Sequence, residues 1–263
     1  MQFRWNDNIM TYAQVATGYK GGGVNPRPFF APQALPFGPE KLTSYELGMK
    51  SDWFDRMLRL NVALFLSKYD GIQLTLGQCP GLGAPASPCA LPANAGNADM
   101  QGFEIEATLN PTDGFIIDAA LSHLDFDYTY LNPAAGGPTQ PTGPQFDDTA
   151  PYTPSWKWSI GAQYRVDLGS AGSITPRFDI SYQSEIFTGP RASELNGIDP
   201  YTLANARLTW RNADEDLEIS AEVTNLFDKY YFRTFAADAI DPDFVTGQPG
   251  RPREWALTVK KLF

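Results

Sequence analysis

The sequence predicts an all-β fold: an antiparallel transmembrane β-barrel fragment of about ten strands, with short periplasmic turns and long extracellular loops. Three observations predict it. Apolar and polar residues alternate with period two through most of the chain. No apolar run approaches the ~18 residues that a membrane-crossing helix needs. Short and long connections follow one another in strict alternation.

Alternation and turn residues place strands near 8–20, 41–52, 56–76, 97–110, 114–130, 153–168, 172–188, 199–211, 215–232 and 251–263. In the third of these, Leu58, Leu60, Val62, Leu64 and Leu66 share one face, and Arg59, Asn61, Ala63, Phe65 and Ser67 the other. Phe103, Ile105, Ala107 and Leu109 alternate in the same way with Glu104, Glu106 and Thr108. Trp156 to Asp167 and Leu217 to Thr224 repeat the pattern. A helix would scatter these apolar residues over all its sides.

The short turns are expected at Trp53–Asp55, Pro111–Asp113, Gly169–Ala171 and Asn212–Asp214, and the long loops near 21–40, 77–96, 131–152, 189–198 and 233–250. Thirteen of the 22 prolines fall within 21–40, 77–95 and 131–150, where ladder pairing should stop. Aromatics gather near the expected lipid–water boundaries: Trp53, Phe54 and Trp210 by short turns, and Tyr128, Tyr130, Trp156, Tyr230, Tyr231 and Trp255 by long loops.

Composition excludes some alternatives. With 43% hydrophobic and 19% charged residues the chain is not disordered as a whole, and 12 Tyr with 17 Phe favour strands. A mean hydropathy of −0.30 suits a soluble protein, but also a barrel whose strands turn only alternate residues to lipid. The net charge of −10 shows no basic patch for nucleic acid. The opening MQFRWNDNIM lacks the basic start and apolar core of a signal peptide, so the true start of an exported product is expected upstream.

Four phrases, in order, carry a family resemblance: MTYAQVATGYKGGGVNPRPF (Met10 to Phe29), SYELGMKSDWFDRMLRLNVALFLSKYDGIQ (Ser44 to Gln73), VTNLFDKYYF (Val223 to Phe232) and the closing GRPREWALTVKKLF. Together they resemble the barrel strands of TonB-dependent outer-membrane receptors. The resemblance implies that residues 1–263 are a C-terminal portion of such a barrel, with the plug domain and the N-terminal barrel strands absent. It implies uptake of a scarce nutrient, with a ferric siderophore as the expected cargo, energised by the TonB complex through the plug of the parent protein. It also implies no catalytic residue, no cofactor and no metal site. Outer-membrane lipid and the barrel-assembly machinery are the other expected partners. The terminal Phe263 resembles the signal by which barrel proteins are recognised for membrane insertion.

Cys79 and Cys89, with nine residues between them in a Pro/Gly-rich loop, form a disulfide candidate. Closing that loop would stabilise it by roughly 2.5–3 kcal/mol in the chain-entropy model. Two free thiols are the alternative, and metal binding is disfavoured without a nearby histidine. The single histidine, His123, lies near Asp125, Asp127, Asp147 and Asp148, which permits an omptin-like barrel protease as a competing idea. A passive channel and a soluble β-sandwich binding protein are two further alternatives. The inner face is expected to carry Glu46, Lys50, Glu104, Glu106, Lys157, Arg165, Arg177, Asp179, Arg207, Glu218 and Glu222, where a plug would touch the wall. Arg27, Phe29, Phe30, Phe37, Phe146 and Arg191 are ligand-loop candidates by location alone.

Overall fold

The computed structural model describes residues 1–79, 81–82, 88–139, 141–237 and 244–262. Eleven antiparallel strands follow one another across a single sheet: β1 (Gln2–Arg4), β2 (Ile9–Lys20), β3 (Glu40–Trp53), β4 (Leu58–Leu76), β5 (Leu91–Thr112), β6 (Phe115–Leu131), β7 (Trp156–Tyr164), β8 (Ser173–Gln183), β9 (Tyr201–Arg211), β10 (Leu217–Thr224) and β11 (Glu254–Lys261). Each pairs with its sequence neighbour, and the short Val166–Asp167 strand adds to β8. The sheet does not close on itself; β1 and β11 are its two edges. No described helix is long and apolar enough to cross a membrane.

The ten expected strands are present, those expected over 153–168 and 172–188 being shorter, at Trp156–Tyr164 and Ser173–Gln183, and three differences are larger. A short β1 precedes them and folds back on β2 through the turn at residues 5–8. Strand β5 begins at Leu91, within the expected loop 77–96. Its segment Ala93 to Ala98 lacks large apolar residues, so it carries no alternation signal. It is a strand because Ala95 and Ala98 are wholly buried against neighbouring side chains. The last difference is at the C-terminal side, where β10 ends at Thr224 because Asn225 and Asp228 turn the chain with φ of 49° and 52°.

Hydrogen-bonded partners run obliquely through the sheet. From Trp53, beside a short turn, the row passes Leu58, Leu109, Ile117, Ala162, Phe178, Ala206 and Val223 to Trp255, beside a long loop. One row thus climbs the full height of the wall. Such stagger tilts strands against the axis they surround, as barrel closure requires. Every residue of that row lies on the apolar face.

The two faces exchange character partway up. In the lower part Leu64, Phe103 and Trp156 share the apolar face in one row, with Leu64 51% exposed, while the opposite face is polar. Higher up, the face carrying Leu64 presents Lys68, Asp99 and Asp127. The other face there presents Tyr69, Ala98, Met100, Phe126 and Tyr128, which pack with Ile72, Leu76, Leu91, Leu131 and Ala135 into the main buried cluster. The lower apolar face fits hydrocarbon, and the exchange marks where lipid ends and water begins. A β-bulge at Gly71 (φ 69°) shifts the register between Tyr69 and Ile72 and turns Ile72, Leu74 and Leu76 toward the cluster.

Aromatics frame the lipid zone. Trp53 and Trp210 lie at the lower rim, Trp210 donating Nε1–H to the Ala171 carbonyl at 2.9 Å, and Trp156 and Trp255 at the upper. Two residues expected in the upper girdle are elsewhere. Tyr128 is 4% exposed because its strand face has become the core side, and Tyr231 turns inward onto Tyr201 with ring centroids 4.6 Å apart. At the lower rim Lys261 binds Asp216, which holds that carboxyl below its usual range.

The facing assignment is testable by substitution. Leu64→Arg should destabilise the membrane-inserted protein by about 2–4 kcal/mol in a urea titration in lipid vesicles, and Asn61→Arg, on the opposite face, far less. Equal effects would refute the assignment.

Candidate functional site

The inner wall is built by register. Successive rows place Glu46, Lys50, Glu104, Glu106, Lys157, Arg177, Asp179, Arg207, Glu218 and Glu222 on the polar face, with Arg165 continuing that face at the lower rim. Several of these charges are paired. Arg177 donates to Asp179 at 2.6 Å, to Asp118 at 2.8 Å and to Gln163 at 3.2 Å. Arg207 pairs with Glu222 at 2.9 Å, Arg211 with Glu218 at 2.7 Å and Arg165 with Glu215 at 2.6 Å. On the N-terminal side the Tyr12 hydroxyl donates to Glu46 at 2.6 Å. These groups are water-accessible, so each pair contributes little stability. Their effect is to present a wettable lining of mixed charge.

The outer loops are tied to one another by a few buried or half-buried polar side chains. Loop 21–39 forms the small pair Gly23–Val24 with Pro36–Phe37 and the one-turn helix Ala31–Gln33. The Gln33 side chain is fully buried; it accepts the Phe29 N–H at 3.0 Å and donates to the Pro88 carbonyl at 2.8 Å. Asn94 on β5 accepts the Gly38 N–H at 2.6 Å and donates to the Gly71 carbonyl at 2.7 Å. Asn132, at the start of the next loop, donates its side chain to the Asn94 carbonyl at 3.3 Å. Asp148 closes the following link. Its carboxylate accepts from Gln145 N–H at 2.7 Å, Ala192 N–H at 3.0 Å and the Arg191 guanidinium at 2.8 Å. Tyr152 then meets Thr234 in the last outer loop.

The six ligand-loop candidates fall into two groups. Arg27, Phe29, Phe30 and Phe37 share loop 21–39; Arg27 and Phe29 are exposed, Phe30 is half-buried, and the half-buried Phe37 ring packs over Gly23. Phe146 and Arg191 belong to two loops joined by Asp148; Phe146 is 52% exposed, while Arg191 is engaged as a latch. The residues that hold the loops, Gln33, Asn94, Asn132 and Asp148, escaped sequence reasoning because an amide or carboxylate in a Gly/Pro-rich loop reads as solvated. Their signal was weak: Asn and Asp set beside turn residues.

Cys79 and Cys89 form a disulfide with Cα atoms 5.8 Å apart, buried in the cluster with Leu76 and Leu91. His123 lies on the apolar face, stacked on Trp156 at 4.2 Å, with its Nδ1 2.9 Å from the Ser155 carbonyl. Asp125 and Asp127 share its face, but no hydrogen bond joins His123 to a carboxylate among the described residues, and Asp148 is committed to Arg191. No group of metal-ligating side chains occurs among the described residues. Phe263 lies outside the described residues.

The VTNLFDKYYF phrase has a clear mechanical role. Asn225 takes the Lys229 N–H at 2.8 Å and donates to the Lys229 and Arg251 carbonyls at 2.9 and 3.1 Å. Asp228 accepts the Arg253 N–H at 2.9 Å. Both ends of the last outer loop are thereby pinned where β10 stops and β11 starts. Phe227 and Tyr230, each at least 70% exposed, remain at the rim.

Residues 1–226 match the family model described as TonB dependent receptor-like, beta-barrel. The pesticin receptor of Yersinia enterocolitica is 28% identical over 229 residues, 87% of this chain and 30% of its own length. The ferric-pyoverdine M114 receptor PbuA of Pseudomonas sp. strain M114 is 24% identical over 265 aligned residues, 99% of this chain and 29% of its own. The crystal structure of the ferric yersiniabactin uptake receptor FyuA from Yersinia pestis has a TM-score of 0.78 at 22% identity, covering all of this chain and 36% of that one. The chain therefore spans about a third of the length of the relatives it matches. On the strength of the family match over most of its length, this chain belongs to the TonB-dependent receptor β-barrel family.

Proposed function

We propose that this chain forms the C-terminal portion of the barrel of an outer-membrane receptor that imports a ferric siderophore, driven by TonB. In this reading residues 1–263 supply part of the wall and several outer loops, and the plug domain and the remaining barrel strands belong to the same parent protein. The observation that carries the reading is the sheet itself: a membrane wall with a lipid face, a wettable inner face and two unpaired edges, in a chain that covers about a third of the length of the receptors it matches. An exposed sheet edge within hydrocarbon is untenable, so both edges call for further strands. The printed names of the relatives, receptors for pesticin and ferric-pyoverdine and an uptake receptor for ferric yersiniabactin, support the substrate class.

The inner lining suits contact with a folded plug, because charges of both signs offer hydrogen-bond donors and acceptors side by side. The outer loops, linked from Gln33 to Asp148, form a tethered rim that would receive the ligand. Outer-membrane lipid faces the apolar belt, and the β11 strand leading to Phe263 is the segment that the assembly machinery would bind.

Iron uptake tests the reading. Cells expressing the gene with its upstream coding sequence should accumulate ⁵⁵Fe from a ferric siderophore only when TonB is functional. Accumulation without TonB would indicate a passive channel, and recovery as a detergent-free monomer would refute the membrane assignment. We also propose that the Cys79–Cys89 bond persists in the mature protein. A maleimide should label the intact protein only after reduction, and reduction should expose loop 77–90 to protease; labelling without reductant would exclude the bond.

A further inference from the structure

Loop 21–39 is attached to the neighbouring strands at two levels. Its base is tied to the long outer hairpin, where Asn94 accepts the Gly38 N–H at 2.6 Å and Gln73 donates to the Gly21 carbonyl at 3.0 Å. Its tip is held differently. Among the described residues, one hydrogen bond leaves the segment 25–35, and it runs from the Gln33 side chain to the Pro88 carbonyl at 2.8 Å. Pro88 adjoins Cys89, whose disulfide with Cys79 is buried in the cluster with Leu76 and Leu91.

The tip is organised around two buried amides. Gln33 is fully buried and Asn25 is 4% exposed. Gln33 Oε1 accepts the Phe29 N–H at 3.0 Å, and Asn25 Oδ1 accepts the Arg27 N–H at 3.0 Å. Asn25 Nδ2 donates to the Gln33 carbonyl at 2.9 Å, joining the two residues. Arg27 and Phe29 are exposed, yet each has its own N–H held by a buried side chain. Gln33 cannot give up Pro88 without cost, because its Nε2–H groups would be left unpartnered away from water. The place of the Pro88 carbonyl therefore fixes the place of Arg27 and Phe29.

We propose that Gln33 is a positioning residue through which the Cys79–Cys89 bond governs a loop that has no cysteine of its own. With the bond closed, the Pro88 carbonyl stays within reach of Gln33, and Arg27 and Phe29 keep one arrangement at the outer rim. Without the bond, segment 79–89 gains freedom and Gln33 loses its acceptor. Residues 25–35 then loosen while the base at Gly21 and Gly38 stays attached. That Arg27 and Phe29 meet cargo rests on the receptor reading; the coupling between the two loops does not.

Amide hydrogen exchange in the intact receptor, held in lipid nanodiscs without ligand, tests it. In wild type, residues 25–35 should exchange slowly. Cys79→Ala with Cys89→Ala, and separately Gln33→Met, should speed exchange there about tenfold, as expected for buried groups left unpaired. Combining all three substitutions should add little further, because both routes break one connection. Segment 145–148, held at Asp148, should stay protected throughout. Rapid exchange in wild type, or protection of 25–35 persisting in either variant, would overturn the proposal. Fully multiplied effects in the combined variant would overturn it too. Faster exchange spread through β4 to β6 would do the same, since the bond would then hold the core instead. With no ligand present, each outcome is separate from a failure of the receptor reading.

Discussion

The structure depends on the need to satisfy every backbone N–H and C=O inside hydrocarbon. A strand can meet it only by pairing on both sides, so each strand must have a neighbour and the wall must be a continuous ladder. Ten long strands in meander order do this with short connections at one end. The requirement leaves side chains free to alternate, apolar toward lipid and polar toward the interior. That freedom explains why a chain of modest mean hydropathy can build a membrane wall. It also makes β2 and β11 meaningful. Much of their surface is bare, with Leu257 72% exposed, because one long edge of each has little or no strand paired to it among the described residues.

The membrane wall was legible because alternation is local and repeats in every strand. Leu58 to Leu66 could be assigned a face from five side chains, and the register agrees with that phase. The outer extension was less legible. Between Leu91 and Ala98, strand β5 is made of Pro, Ala, Asn and Gly, whose strand identity comes from burial against Phe126, Tyr128 and Leu131 rather than from propensity. Tyr128 shows the same limit. Its spacing matched a lipid girdle, but it lies above the level where the two faces exchange polarity.

The candidate site divides along the same line. The inner-wall charges follow from strand phase, so sequence reasoning placed them correctly on one face. Their partners did not follow, because Arg177 meets Asp118 from a strand 59 residues away, a contact that only the register creates. In the loops, location alone selected Arg27, Phe29, Phe30, Phe37, Phe146 and Arg191. The structure shows Arg191 engaged with Asp148 and gives Tyr231, which had been assigned to the lipid boundary, an inward position. A residue's role in a loop depends on which distant segment it meets, and no local pattern encodes that.

The bulge at Gly71 separates two kinds of order on one hairpin. Below it the pairing register is locked to the tilt of the whole wall, so a single inserted residue would turn every leucine away from lipid. Above it the register has already been reset, and the side chains pack into a small core of their own and bond to the adjoining loops. Length changes in the tip of this hairpin need not propagate downward. The outer hairpin can therefore diversify like an exchangeable cassette, while the embedded part of the same strands stays fixed.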